Sequence, residues 1–263
     1  MEDKDTQRDL LIIISSYIDS VRKELNMRWD KWQIDMGKIE LHEVAGALLA
    51  RQVTLATQLA SAPPIWNGHT APLILRSMVD NYINLAWILQ KDSLKRSKKF
   101  IEHGLGQQKL IIEHRKQELT KSKIKNIDDD PFIKASENWI NSQRYTFLTT
   151  VDIGQWADMD TRKMAEEANS LDLYRYVYTP FSSCVHSKWN HVSVYNLKEC
   201  RNPLHRFHKS PIDPDFPTDF DYLYRAAKYV EKIFTLFDKK FKLKVNSNSS
   251  FIQLISDLKS LEK

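Results

Sequence analysis

The chain has 263 residues, 42% hydrophobic and 28% charged, with a net charge of +5, an ordinary globular composition with ample material for a core. Only 6 glycines and few alternating apolar–polar runs argue against all-β and α/β folds, whose many turns consume glycine. No window approaches the roughly 20 apolar residues that span a bilayer, the apolar run at 10–14 is too short for a signal-peptide core, and the two cysteines, Cys184 and Cys200, make no secreted disulfide framework. A soluble protein of the reducing cytoplasm is expected, with no membrane partner.

In chain order, Leu10, Ile14, Tyr17, Val21, Leu25, Trp29 and Trp32 recur at spacings of three and four and predict an amphipathic helix over about 6–35. A second helix runs over about 39–60, with Leu41, Val44, Leu48, Val53, Leu55 and Leu59 as core candidates, and Ala62-Pro-Pro-Ile-Trp-Asn-Gly68 ends it in a loop. The third, about 70–90, is the most apolar (Ile74, Leu75, Met78, Val79, Tyr82, Ile83, Leu85, Ala86, Leu89) and should be central. A fourth covers about 93–121, where Gly104 and Gly106 are costly in a helix interior and suggest a kink. Asp128-Asp-Asp-Pro131 opens a fifth, to near Phe147, with acids and proline at its start. Short helices are expected over 160–168 and about 171–190, the latter interrupted at Pro180. The proline-rich stretch 196–217 reads as a long loop. Pro217-Thr218 restarts a helix to about Phe241, with Tyr222, Ala226, Tyr229, Ile233, Leu236 and Phe237 inward. The fold class is therefore all-α, a multi-helix bundle with a central apolar helix and a long irregular loop near 196–217. One helical domain over 1–245 is expected, then a linker and short C-terminal helix over 246–263.

Charge is unevenly spread: between Lys91 and Lys125 eleven Lys/Arg face four Asp/Glu. Such a run can hold RNA, or simply form a solvated helix face. On the central helix Arg76 and Asp80 lie four apart, and Asn84 and Trp87 continue their face; a polar arc there either lines a cleft or holds helices in register. Tyr174 to His186 is dense in groups that donate, accept or titrate. His186 lies within helical reach of Ser182 and Ser183 and can act as general acid or base, or be a hydrogen-bonded core residue. Cys184, His186, His191, Cys200, His205 and His208 are zinc-type ligands, but the spacing contains no Cys-x-x-Cys. No metal ligand set and no cofactor are assigned. Phosphate-binding glycine loops, Gly-x-Ser-x-Gly and His-Glu-x-x-His are absent.

Three motifs carry a resemblance: Leu75-Arg76-Ser77-Met78-Val79-Asp80 followed by Asn84 and Trp87; Arg162-Lys-Met-Ala-Glu166; and Tyr174, Tyr178, Ser182, His186 with Ser187 where glycine is usual. Over about 40–195 the chain resembles a bacterial family of helical proteins, domain-of-unknown-function family 5677, in which the first motif more often carries Glu at the position of Asp80. The resemblance implies an all-α bundle. It assigns no activity of its own, but helical families of this kind look like metal-independent RNA-cleaving toxins and phage-defence effectors. Those place an Arg and a His on one helix; here the chain departs from them, since Arg76 and His186 lie on different helices. In that reading His186 deprotonates a ribose 2′-hydroxyl, Arg76 stabilises the phosphate and Asp80 orients either. Asn84, Tyr178, Ser182 and His191 then bind substrate, and the basic 91–125 run holds the RNA backbone. A second reading is a non-catalytic module that binds a protein partner or small ligand, with a homodimer as one form of it. A third is a metal-dependent hydrolase built on the 184–208 cluster.

Overall fold

The computed structural model describes residues 2–124, 126–143, 155–245 and 248–261. Their order is α1 (Glu2–Lys31), α2 (Ile39–Ala60), α3 (Ala71–Gln90), α4 (Ser93–Lys121), α5 (Pro131–Ser142), α6 (Thr161–Glu167), the single turn α7 (Leu171–Leu173), π-helical turns over Tyr174–Tyr178, α8 (Thr179–Val185), α9 (Trp189–Tyr195), a hairpin of β1 (Leu197–Glu199) and β2 (Lys209–Pro211), α10 (Asp221–Phe241) and α11 (Ser250–Ser260). The all-α class holds, and no helix among the described residues is long and apolar enough to cross a membrane.

Helices α2, α3 and α10 pack together at the centre; α1 lies on α2 and α11, α4 on α2, α5 on α4, and both α6 and α8 lie on α3. The expected apolar face of α3 is the one buried: Leu75, Met78, Ile83, Leu85 and Ile88 are fully enclosed. Within this core is a polar device that apolar periodicity does not predict. Asn81 Nδ2 donates to Leu48 O (2.8 Å) and Gln52 Oε1 (2.7 Å), and Gln52 Nε2 donates to Tyr229 O (3.3 Å), joining α2, α3 and α10. A buried network whose groups find partners fixes register, because any slip strands polar groups in the interior. Burial also reaches polar positions of the α1 stripe: Arg28 donates to both carboxylate oxygens of Asp238 on α10 (3.0 and 2.8 Å), and Ser250 at the start of α11 donates to Glu24 (2.7 Å). At Gly46 a Cβ would meet the Trp29 ring at 2.4 Å, so glycine lets α1 approach α2 closely.

Helix α4 is one continuous helix through Gly104 and Gly106, each of which costs about 1 kcal/mol in propensity relative to alanine. The expected end of the fifth helix near Phe147 lies outside the described residues; within them it ends at Ser142. The interruption expected at Pro180 is present, but the helix ends at Val185 and a separate helix starts at Trp189, where one element was expected over 171–190. Pro180 has no N–H for the carbonyl of Tyr176, and the ladder widens there to a π register, with Thr179 N–H on Tyr174 O. It then stops in a Schellman motif: Ser187 N–H bonds Cys184 O (3.1 Å), Lys188 N–H bonds Ser183 O (2.9 Å), and Ser187 takes φ 46°, a left-handed conformation natural to glycine. The region 196–217 is not wholly irregular, since β1 and β2 pair antiparallel with Lys198 opposite Ser210.

Candidate functional site

The motif residues of α3 form a seam with the 161–185 segment. Arg76 Nε donates to Ser182 Oγ (2.9 Å), its Nη1 is ion-paired with Asp80, and its guanidinium carbon lies 3.1 Å from the centroid of the Tyr178 ring. Ser182 Oγ donates in turn to Tyr178 O (2.8 Å), Tyr178 stacks on Tyr174, and its hydroxyl reaches Thr161 Oγ1 at 3.4 Å. The Arg76 side chain is only 11% exposed, and burial lowers its pKa from the usual arginine value; it still carries its charge, which Asp80 balances. At the other end of the same face Trp87 Nε1 donates to Glu167 Oε2 (2.7 Å), which also accepts from Arg96 Nη2 (3.0 Å), while Arg96 stacks on the Trp87 ring. The hydrogen bond from Trp87, then the Arg96 and Lys91 charges, hold the Glu167 carboxyl below its ordinary range. Asn84 is half-buried between these two ends.

Arg76, Asp80, Tyr178 and Ser182 are thus brought together. His186 is one turn past Ser182, at the C-cap of α8, and is exposed to solvent. His191 belongs to a different cluster: its Nε2 lies 3.3 Å from His69 Nδ1, and both rings pack against Tyr195. Burial, then His69, depress its pKa. Cys184 Sγ donates to His69 O (3.1 Å), and burial raises its thiol pKa. The Cys/His group of 184–208 therefore falls into three parts: Cys184 and His191 around His69, His186 alone, and Cys200, His205 and His208 on the hairpin, where the donor atoms lie within 4.8 Å of one another. There the Cys200 thiol is brought down to about 7, chiefly by the His208 side chain, then the Asn202 backbone and His205.

The two basic regions differ in their environment. Along α4, Arg96 pairs with Glu167, Lys98 with Glu40 (3.3 Å), Lys99 with Asp158, Arg115 with Asp130 (2.9 Å) and Lys116 with Glu137 (2.9 Å). Much of its positive charge is thereby answered within the chain, and Lys125 lies outside the described residues. From Tyr174 to Lys209, by contrast, six basic residues meet one acid, Glu199. Arg175, Lys188, Lys198, Arg201, Arg206 and Lys209 are all exposed, and none has an ion-pair partner among the described residues. Three large aromatics are exposed among them: Tyr176 (73%), Trp189 (72%) and Phe207 (91%). The sequence reading marked 174–186 and the 184–208 Cys/His group for their titratable side chains, but passed over the basic excess of this segment for the longer run at 91–125, whose charge is largely answered by long-range partners. It missed His69 and Glu167 because neither stands in a recognisable motif; Glu167 follows the motif residue Glu166, which is exposed.

An α3 face locked to the 161–185 segment by Arg–Ser, Arg–Tyr and Trp–Glu pairs defines a helical protein whose sequence motifs mark one packing seam. The model of the family of unknown function DUF5677 matches residues 42–202, more than half of the chain and all of that seam, and the protein belongs to this family. No curated protein and no solved structure matches it.

Proposed function

We propose that this is an RNA-binding helical protein whose contact surface is the segment Tyr174–Lys209, held against the bundle by the Arg76 clamp. One observation carries the reading: six exposed basic side chains, none with an ion-pair partner among the described residues, interleaved with three exposed aromatics over a stretch holding a single acid. Phosphates are neutralised by such cations, and unstacked bases lie on such rings. A hydrophobic protein-docking face would not need the charge. A solvated charged face would not need Trp189 and Phe207 in water.

Within this reading His186 is the group to test for chemistry. It is exposed in the middle of the basic segment, where a general base can reach a ribose 2′-hydroxyl. Arg76, with its face, Nε and Nη1 already engaged, serves as a positioning residue for α8, and the charge on phosphate is met by the exposed arginines. A metal-independent ribonuclease of the toxin or phage-defence type is the form this takes if His186 is active.

Fluorescence anisotropy with a labelled single-stranded RNA tests the binding, using wild type and the double variant Trp189→Ala/Phe207→Ala. Loss of two stacking rings should weaken binding by about 2–6 kcal/mol with the helical circular dichroism unchanged. Equal affinity of variant and wild type, or no binding to RNA, would overturn the proposal; self-association or a co-purifying protein lost in the same variant would favour the interaction-module reading. RNA cleaved by wild type and left intact by a folded, RNA-binding His186→Ala variant would establish the catalytic form.

A further inference from the structure

The hairpin joining β1 and β2 has little to hold it. Its strands are three residues each, residues 201–209 are all exposed, and Leu204 and Phe207 point into water. A two-stranded hairpin of this kind is marginal by itself, and small elements without an apolar core are commonly closed by a metal or a disulfide. Yet its backbone is arranged to gather three donor side chains. Cys200 N–H bonds His208 O (3.0 Å), His208 N–H bonds His205 O (3.1 Å), and His205 N–H bonds Asn202 O (3.0 Å).

We propose that Cys200, His205 and His208 form a zinc site that closes this hairpin. Three observations support it. The donor set is one thiol and two imidazoles, the borderline-soft combination zinc takes. The three donor atoms lie within 4.8 Å of one another. Cys200 Sγ and His205 Nδ1 are 3.6 Å apart, and a tetrahedral ion at about 2.3 Å from sulfur and 2.0–2.1 Å from nitrogen sets these atoms about 3.5–3.6 Å apart. The spacing C-x4-H-x2-H lacks the usual paired cysteines, which is why sequence alone undervalues it.

With three protein ligands, the fourth position goes to water. Binding releases the thiol proton and places the metal on His205 Nδ1, so the ring proton moves to Nε2. That nitrogen is 3.2 Å from Asn202 Nδ2; a turn of the amide, which gives up the bond that its Oδ1 accepts from Leu204 N–H (3.0 Å), would present an acceptor to the N–H and make Asn202 the partner that orients the ligand. The ion would fix Arg201, Arg206 and Phe207 in one arrangement. The site stands on its own donors and does not depend on RNA binding.

The test uses the untagged, reduced full chain, freed of metal and titrated with cobalt(II) and then zinc. The expected result is one equivalent bound, a thiolate-to-cobalt charge-transfer band with tetrahedral visible bands, and displacement of cobalt by zinc. Cys200→Ser and His208→Ala should each weaken binding by more than about 100-fold, and Asn202→Ala by about tenfold. Cys184→Ser should keep the bands. Since 201–209 is exposed, the helical circular dichroism of the hairpin variants should match wild type, and zinc should slow tryptic cleavage after Arg201 and Arg206. Absence of a stoichiometric ion by elemental analysis after zinc equilibration, or bands that survive Cys200→Ser, would overturn the site.

Discussion

Replacing Arg76 by alanine removes the clamp between α3 and α8, and its cost can be worked from three interactions. The hydrogen bond from Nε to Ser182 Oγ, 2.9 Å long and given by a cation, is worth about 1.5–3 kcal/mol. The guanidinium over Tyr178, on a side chain 11% exposed, adds about 1–2 kcal/mol. The pair with Asp80, whose side chain is 39% exposed, counts as a solvent-screened helix pair of about 0.3–0.5 kcal/mol. The terms overlap because one side chain makes all three, so a total near 3 kcal/mol is expected, equivalent to a fall in Tm of about 6–12 °C for a chain of this size. Arg76→Lys should recover little of it, since lysine keeps the charge but loses both the planar stack and the fork. Thermal unfolding followed by circular dichroism reads the shift, and RNA affinity below the transition should change only modestly. A Tm within a degree of wild type, or full stability combined with abolished RNA binding, would refute the positioning role and make Arg76 a residue that touches ligand.

Ser187→Gly should stabilise by about 0.5–1 kcal/mol, because a non-glycine residue at φ 46° bears a left-handed strain that glycine lacks; an unchanged or lower urea midpoint would contradict that. Stability should also fall on mild acidification. His191 is held below its ordinary 6.5 by burial and then by His69, and His42 by burial between Trp29 and Trp32. Below that value the unfolded chain binds more protons than the folded one, so their contribution is complete above about pH 6.5 and is lost as pH falls through it. Differential scanning calorimetry between about pH 7.5 and 5.5, above the range where carboxylates titrate, should show a declining Tm, with a shallower decline in His191→Asn; identical slopes would contradict the assignment.

Periodicity made the bundle legible. The spacings in α2, α3 and α10 identify residues that are buried because apolar faces seek one another irrespective of sequence distance. Arg76 and Asp80 were legible in one motif and Tyr178 and Ser182 in another; that these four side chains meet, while His186 and His191 stand apart from them, is visible only in the structure. What stayed hidden depends on long-range partners. Asn81 reads as a polar interruption of an apolar helix until Gln52 and Leu48 are seen beside it. The α4 charge looks free until Glu40, Asp130, Glu137, Asp158 and Glu167 are seen to answer it. The hairpin of β1 and β2 was lost among prolines, and with it the convergence of Cys200, His205 and His208.

The salt dependence of RNA binding tests the central claim most directly. For single strands each neutralised phosphate contributes about −0.7 to the slope of log K against log salt. The triple variant Lys188→Ala/Arg201→Ala/Arg206→Ala should therefore lower the magnitude of the slope by about 2, while Lys95→Ala/Lys121→Ala on α4 should leave it unchanged. The reverse pattern, with the α4 variant flattening the slope and the 188/201/206 variant keeping it, would contradict the assignment of the RNA surface to Tyr174–Lys209.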